Sequence, residues 1–273
     1  MMRQREVWAW LLLPCLVMTG CSRLTFVKPK MDRKDGEQIA QDYHVADSPE
    51  VQKRMKTQQR LGLAAQRLRA GDYAMAEREA KEVLKVDPGS VDALTILGIA
   101  SDQQDDVAKA GEYYKRAADL APAKGSVLNN YGAWLCQNRD PAESLAWFDR
   151  ALKDPGYASP ASALANAGDC AQQAGQYPRS ERDLRQALAL EPTNAVALEA
   201  LARNAYREQQ YMDARAFVER RLDAAPANAS VLKLAAGIEQ QLGDTRAAQR
   251  YQQTLRAEFP NDASDISRGN ARQ

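Results

Sequence analysis

Residues 195–226 read AVALEALARNAYREQQYMDARAFVERRLDAAP. Apolar residues return every three or four places, the spacing of one helix face. The stretch ends on Pro226, which cannot continue a helix. A small residue, Ala202, stands 24 places before that proline, and a second, Ala214, twelve places after the first. Working outward in both directions, the same three markers come back. The prolines are Pro88, Pro122, Pro155, Pro192, Pro226 and Pro260, in steps of 34, 33, 37, 34 and 34. The first small residue recurs as Ala64, Gly98, Gly132, Gly168, Ala202 and Ala236, in steps of 34, 34, 36, 34 and 34. The second recurs as Ala76, Ala110, Ser144, Ser180, Ala214 and Ala248. Three markers in phase over six copies define an internal repeat.

A 34-residue period with small residues at these places resembles the tetratricopeptide repeat, a helix–turn–helix unit. The resemblance implies an all-α, right-handed superhelix of six repeats over residues 49–260, with the first helix of each unit lining the concave side. The small residue of the first helix is expected to face that of the second, letting the backbones approach. Turns between paired helices are read at Gly71-Asp72-Tyr73, Gly175-Gln176-Tyr177 and Gly243-Asp244-Thr245. Leu63, Leu94, Leu97, Tyr114, Leu128, Tyr131, Phe148, Leu164, Leu184, Leu198, Leu201 and Leu232 are the expected core. A start signal stands at Ser48-Pro49-Glu50: a capping serine, a proline at the first helical place and an acid in the first turn. The sixth unit is polar in its second helix (Gln249, Arg250, Gln252, Gln253), as a capping repeat should be. Two extra residues fall between the third and fourth units, within Asp154 to Pro160.

The N-terminus reads as a targeting segment. Arg3 and Arg5 precede an apolar run from Val7 to Met18, broken only by Pro14. Spanning a membrane takes about 20 apolar residues, so residues 1–20 fit a signal peptide better. Met18-Thr19-Gly20-Cys21 resembles a bacterial lipobox, with methionine where leucine is usual. That resemblance implies lipidation of Cys21 with acyl chains such as palmitate. Ser22 in place of aspartate implies sorting to the outer membrane, facing the periplasm. Residues 21–48 are then a lipidated N-terminus and flexible tether, and 261–273 a C-terminal tail.

Of the other cysteines, Cys15 leaves with the signal, so Cys136 and Cys170 form an even pair in an oxidising compartment. In repeat coordinates they fall two places apart on neighbouring first helices. Two places are about 3 Å of helix rise. Helix axes about 10 Å apart leave about 5.4 Å between facing Cα atoms. A disulfide spans such a distance.

Charge narrows the function classes. Lys and Arg number 37 against 36 Asp and Glu, a balance that argues against nucleic acid as partner. The single histidine, His44, lies in the expected tether. No zinc-ligand set, P-loop or dinucleotide loop is present, so no metal, cofactor, small-molecule substrate or catalysis is expected. Binding is expected in the concave groove. In the first repeat its positions hold Gln58, Leu61, Ala65, Leu68 and Arg69, and Leu61, Ala65 and Leu68 make an apolar stripe. The matching places in later repeats are mostly polar, among them Asp92, Gln103, Gln172, Glu199 and Arg203. An exposed apolar stripe beside polar equivalents is a candidate docking surface.

Two strings narrow the family. Leu128-Asn129-Asn130-Tyr131-Gly132-Ala133-Trp134-Leu135-Cys136 and Leu164-Ala165-Asn166-Ala167-Gly168-Asp169-Cys170, with the lipobox, resemble the PilF/PilW family of type IV pilus biogenesis and stability proteins. The resemblance implies a pilotin, an outer-membrane lipoprotein that binds secretin subunits and promotes their localisation and assembly. The alternative is a periplasmic repeat scaffold for another envelope complex, such as cell-wall hydrolases.

Overall fold

The computed structural model describes residues 48–262. They form an all-α superhelix of six helix–turn–helix repeats. The first helices of the repeats are α1 (Pro49–Arg69), α3 (Val91–Asp102), α5 (Gly125–Asn138), α7 (Pro160–Gln173), α9 (Ala195–Arg207) and α11 (Ala229–Gln241). Their partners are α2 (Tyr73–Val86), α4 (Val107–Leu120), α6 (Pro141–Ala151), α8 (Tyr177–Leu190), α10 (Tyr211–Ala224) and α12 (Thr245–Glu258). Helix α1 packs beside α3, α5 beside α7, α7 beside α9 and α9 beside α11, which puts the first helices on the inside of the curve.

Short polar side chains start the helices. Ser48, Asp72, Ser90, Asp106, Asp140, Asn194, Asn228 and Asp244 each accept a hydrogen bond from a backbone N–H of the first turn they precede. Turns within the repeats pass through the left-handed region at Gly71, Gly175 and Gly243, with φ of 75°, 72° and 79°. Asp105 and Gln209 take the same conformation, at φ 60° and 61°, without glycine. Those two turns therefore carry no glycine signal in the sequence.

Where the small residue of the first helix is glycine, it lies against the residue four places after the small residue of the second. A Cβ on Gly98 would stand 2.6 Å from the Tyr114 ring, one on Gly132 3.0 Å from Phe148, and one on Gly168 2.5 Å from Leu184. The other repeats carry alanine at the first site and Ala80, Val218 or Gln252 at the second. One methyl group is thus exchanged across the interface: glycine meets a bulky partner, alanine a smaller or flexible one. Close packing requires this complementarity.

A second periodic device joins successive repeats. Arg116 donates to the Pro88 carbonyl (2.5 Å), Arg150 to Pro122 (3.1 Å) and Arg220 to Pro192 (3.1 Å). Each ties a second helix to the carbonyl of the proline that ends the preceding unit. At the irregular joint the equivalent place holds Gln186, and the connection is made differently. There Asp154 accepts from Gly125 N–H (2.7 Å) and Gly156 N–H (2.9 Å), and the Tyr157 ring lies on Gly125. Helix α5 has no capping side chain of its own, and Asp154 caps it from the joint at the other end of the repeat.

Of the expected core, Leu94, Leu97, Leu128, Phe148, Leu184, Leu198, Leu201 and Leu232 are at most 2% exposed. Tyr114, Tyr131 and Leu164 are also buried. Leu63 is only half-buried, because no repeat precedes it.

Candidate protein-binding groove

Helix α1 has 21 residues, against 12 to 14 in the other first helices. Its extra turns come from Ser48, whose hydroxyl caps Val51 N–H at 3.3 Å, and from Pro49 in the first turn. The overhanging part of α1 and the turn between α2 and α3 enclose a groove of about 600 Å³. Leu61, Val86 and Val91 supply its apolar surface, and Lys53, Arg54 and Lys124 stand at its edges.

The three residues of the apolar stripe do not share this groove. Leu61 lines it. Ala65 and Leu68 are half-buried, and all three pack against the cluster of Ala64, Ala76, Ala80, Val83, Ala93, Ile96 and Leu97. That cluster includes residues of α3, the next first helix along the curve. Gln58 reaches the groove edge, while Arg69 is exposed.

The concave places of the later repeats are polar, and they are engaged within the protein. Asp92 pairs with Lys124 at 2.8 Å, and the Tyr73 hydroxyl donates to Gln103 at 3.2 Å. Asn166 donates to the buried Asn129 at 3.1 Å. Further on, Arg203 pairs with Asp169 and, at 3.1 Å, with Glu199. Glu199 also takes Arg221 at 3.3 Å and the Ser230 hydroxyl at 2.9 Å. Arg207 stacks on the Tyr177 ring, 3.6 Å from its centroid.

Arg221 was not foreseen. It is 6% exposed at the place where the other repeats bury Val83, Ala117, Ala151, Ala187 and Leu255. Its guanidinium also donates to the carbonyls of Ala225 and Pro226, so a buried charge is matched on several sides. A break in the apolar run at that place of the repeat is the only sequence signal, and it does not reveal the partner on α9.

Cys136 and Cys170 are joined by a disulfide, with Cα atoms 5.8 Å apart, linking α5 to α7. Also from α5, Tyr131 meets Trp147 of α6 edge-on at 4.7 Å, and the Trp134 indole N–H donates to the Val107 carbonyl at 3.2 Å. The titratable groups that depart from their ordinary range are structural ones. The N–H groups of Gly125 and Gly156 hold the Asp154 carboxyl low, while burial raises the Tyr114 and Tyr131 phenols.

Among the described residues no group of three His, Cys, Asp or Glu is placed to hold a metal. None of their helices is long and apolar enough to cross a membrane. Cys21 and His44 lie outside the described residues.

Paired helices with small residues at the crossing and a polar, internally braced concave face define a tetratricopeptide repeat protein, a scaffold class that binds other proteins. The tetratricopeptide repeat family model matches residues 61–125. The chain is similar to the crystal structure of PilW, a widely conserved type IV pilus biogenesis factor, at 32% identity and a TM-score of 0.67. That match covers 81% of this chain and 99% of PilW. It is also similar to the type IV pilus assembly protein PilF of Pseudomonas aeruginosa, 25% identical over 194 residues, 71% of this chain and 77% of PilF. A structure of P. aeruginosa PilF has the same fold, with a TM-score of 0.66 over 80% of this chain and 99% of that one, at 21% identity. The chain belongs to this family of tetratricopeptide type IV pilus biogenesis proteins.

Proposed function

We propose that this protein is an outer-membrane lipoprotein of the pilotin type, which binds secretin subunits and promotes their localisation and assembly during type IV pilus biogenesis. The observation that carries the reading is the match to PilW along almost the whole of that chain. Two features of this sequence support it. Gly20-Cys21 closes a short apolar leader, giving a site for an acyl anchor, and Ser22 follows where retention at the inner membrane favours aspartate. The groove beside Leu61 offers apolar surface at the end of the array nearest that anchor in sequence.

The protein then acts by holding its partner at a membrane and performs no chemistry on it. Deleting the gene should remove surface pili and the heat-resistant multimers of the secretin. Cys21→Ser should abolish fatty-acid labelling and misplace the secretin. Leu61→Asp should reduce multimer assembly while helical content and Tm stay near wild type. Leu61 is the residue to change, because Leu68 supports the core more than the groove. Full assembly by a folded, lipidated Leu61→Asp protein would place the partner elsewhere.

A further inference from the structure

Charge is distributed unevenly over the chain. The whole carries a formal +1, yet α1 holds Lys53, Arg54, Lys56, Arg60, Arg67 and Arg69 against Glu50 alone. Helix α12, also basic, has Arg246, Arg250 and Arg256 against Glu258. Two cations of α1 are neutralised, Arg60 by Glu79 at 2.7 Å and Arg67 by Asp72 at 3.6 Å. Lys53, Arg54 and Lys56 make no ion pair among the described residues. All three sit on the overhanging N-terminal part of the helix.

Their placement around that helix decides what they can meet. Successive residues are turned by about 100°, so Lys53 and Lys56 share a face, Arg54 lies about 100° from Lys53, and the three spread over about 160° of the helix. Lys53 and Arg54 edge the groove toward α3. Lys53 and Lys56 edge a second cleft of about 350 Å³ between α1 and the end of α2. Met55, between them in sequence, is 56% exposed, and Val86, which lines both clefts, is 44% exposed. A protein segment lying in one groove reaches one side of such a helix. A layer of headgroups met by the helix end reaches the whole of that spread at once and also accepts the apolar side chains beside the charges.

We propose that the N-terminal end of α1 is a contact site for anionic phospholipid headgroups, engaged through Lys53, Arg54 and Lys56 with Met55 and Val86 among them. Repeat one then lies against a membrane surface. The choice of membrane rests on the envelope reading given under Proposed function; the binding itself does not. Lys53 follows Cys21 by 32 residues, so an acyl anchor and a basic contact would act on the same bilayer. Each cation near an anionic surface adds about fivefold to partitioning, and three together roughly 100-fold.

The test uses the mature chain with Cys21→Ser, so that no acyl group contributes. It is floated with vesicles of phosphatidylethanolamine and phosphatidylglycerol, and separately with phosphatidylcholine alone. The protein should float with the anionic vesicles only, and high salt should release it. The triple variant Lys53→Gln, Arg54→Gln, Lys56→Gln should bind roughly 100-fold more weakly. The control Arg246→Gln, Arg256→Gln should bind like its parent, and circular dichroism should show all variants equally helical. No flotation, or flotation unchanged in the triple variant, overturns the proposal. So does a triple variant that fails to assemble secretin multimers in the chain that keeps Cys21 while its Cys21→Ser form still floats with the anionic vesicles, which would assign the cations to a protein partner. Loss of fatty-acid labelling at Cys21 with flotation intact would remove the anchor and uphold the headgroup site.

Discussion

Repeats three and four and repeat one are built from the same unit and held very differently. In the middle, Phe148 fills the space over Gly132, Leu184 that over Gly168, and a disulfide and an asparagine pair join α5 to α7. Asp154 caps α5 from the following joint. In repeat one, Leu61, Leu63, Ala65 and Leu68 are all half-buried, and three cations make no ion pair among the described residues. Each unit of a solenoid is stabilised by its neighbours. Among the described residues the first unit has only one, and its first helix is less buried than the others. The difference separates a braced centre from an end with surface to offer.

Removing the covalent brace should have the largest effect on that contrast. Cys136→Ala with Cys170→Ala opens a link between residues 34 apart, which the chain-entropy relation values at roughly 4 kcal/mol. For a domain of this size Tm should fall by about 10 °C. Thermal unfolding followed by circular dichroism measures it, and an unchanged Tm would mean that the centre is not held by its bridge.

A matched pair of truncations sharpens the comparison. Leu97 and Leu63 occupy the same place in repeats two and one, one fully buried and the other half-exposed. Leu97→Ala should cost about 3 kcal/mol through lost burial and a cavity. Leu63→Ala should cost about 1 kcal/mol, since part of that surface is already wet. Urea denaturation of the two variants gives the ratio; equal losses would show that the first repeat is as well packed as the second.

The smallest effect is expected at the joint. The backbone N–H groups of Gly125 and Gly156 hold the Asp154 carboxyl below its ordinary value in the folded protein. A group depressed in this way stabilises the fold above its unfolded pKa of about 3.9, and the contribution is lost as pH falls through the lower folded value. Asp154→Asn should therefore melt below wild type at neutral pH, and the gap should close as the medium is acidified below about pH 4. A gap independent of pH would remove the carboxylate from the account.

The repeat, three of its internal turns and nearly all of its core were legible in the sequence, because these follow from local rules. A proline ends a helix, a capping side chain starts one, and an apolar face recurs with the turn of the helix. The proximity of Cys136 and Cys170 was legible for the same reason: equivalent places of adjacent units are adjacent in space. Three things were not. The fit of Gly98, Gly132 and Gly168 to Tyr114, Phe148 and Leu184 depends on how far two helices close on each other. The burial of Arg221 depends on Glu199, a residue on another helix whose charge alone does not announce a partner. The separation of Leu61 from Ala65 and Leu68 depends on where α3 comes to lie along α1. Periodicity by itself therefore determined which residues repeat and which face each helix buries. Which of those faces remain open was decided only by tertiary packing, since exposure depends on what the neighbouring repeat covers and not on the residues exposed.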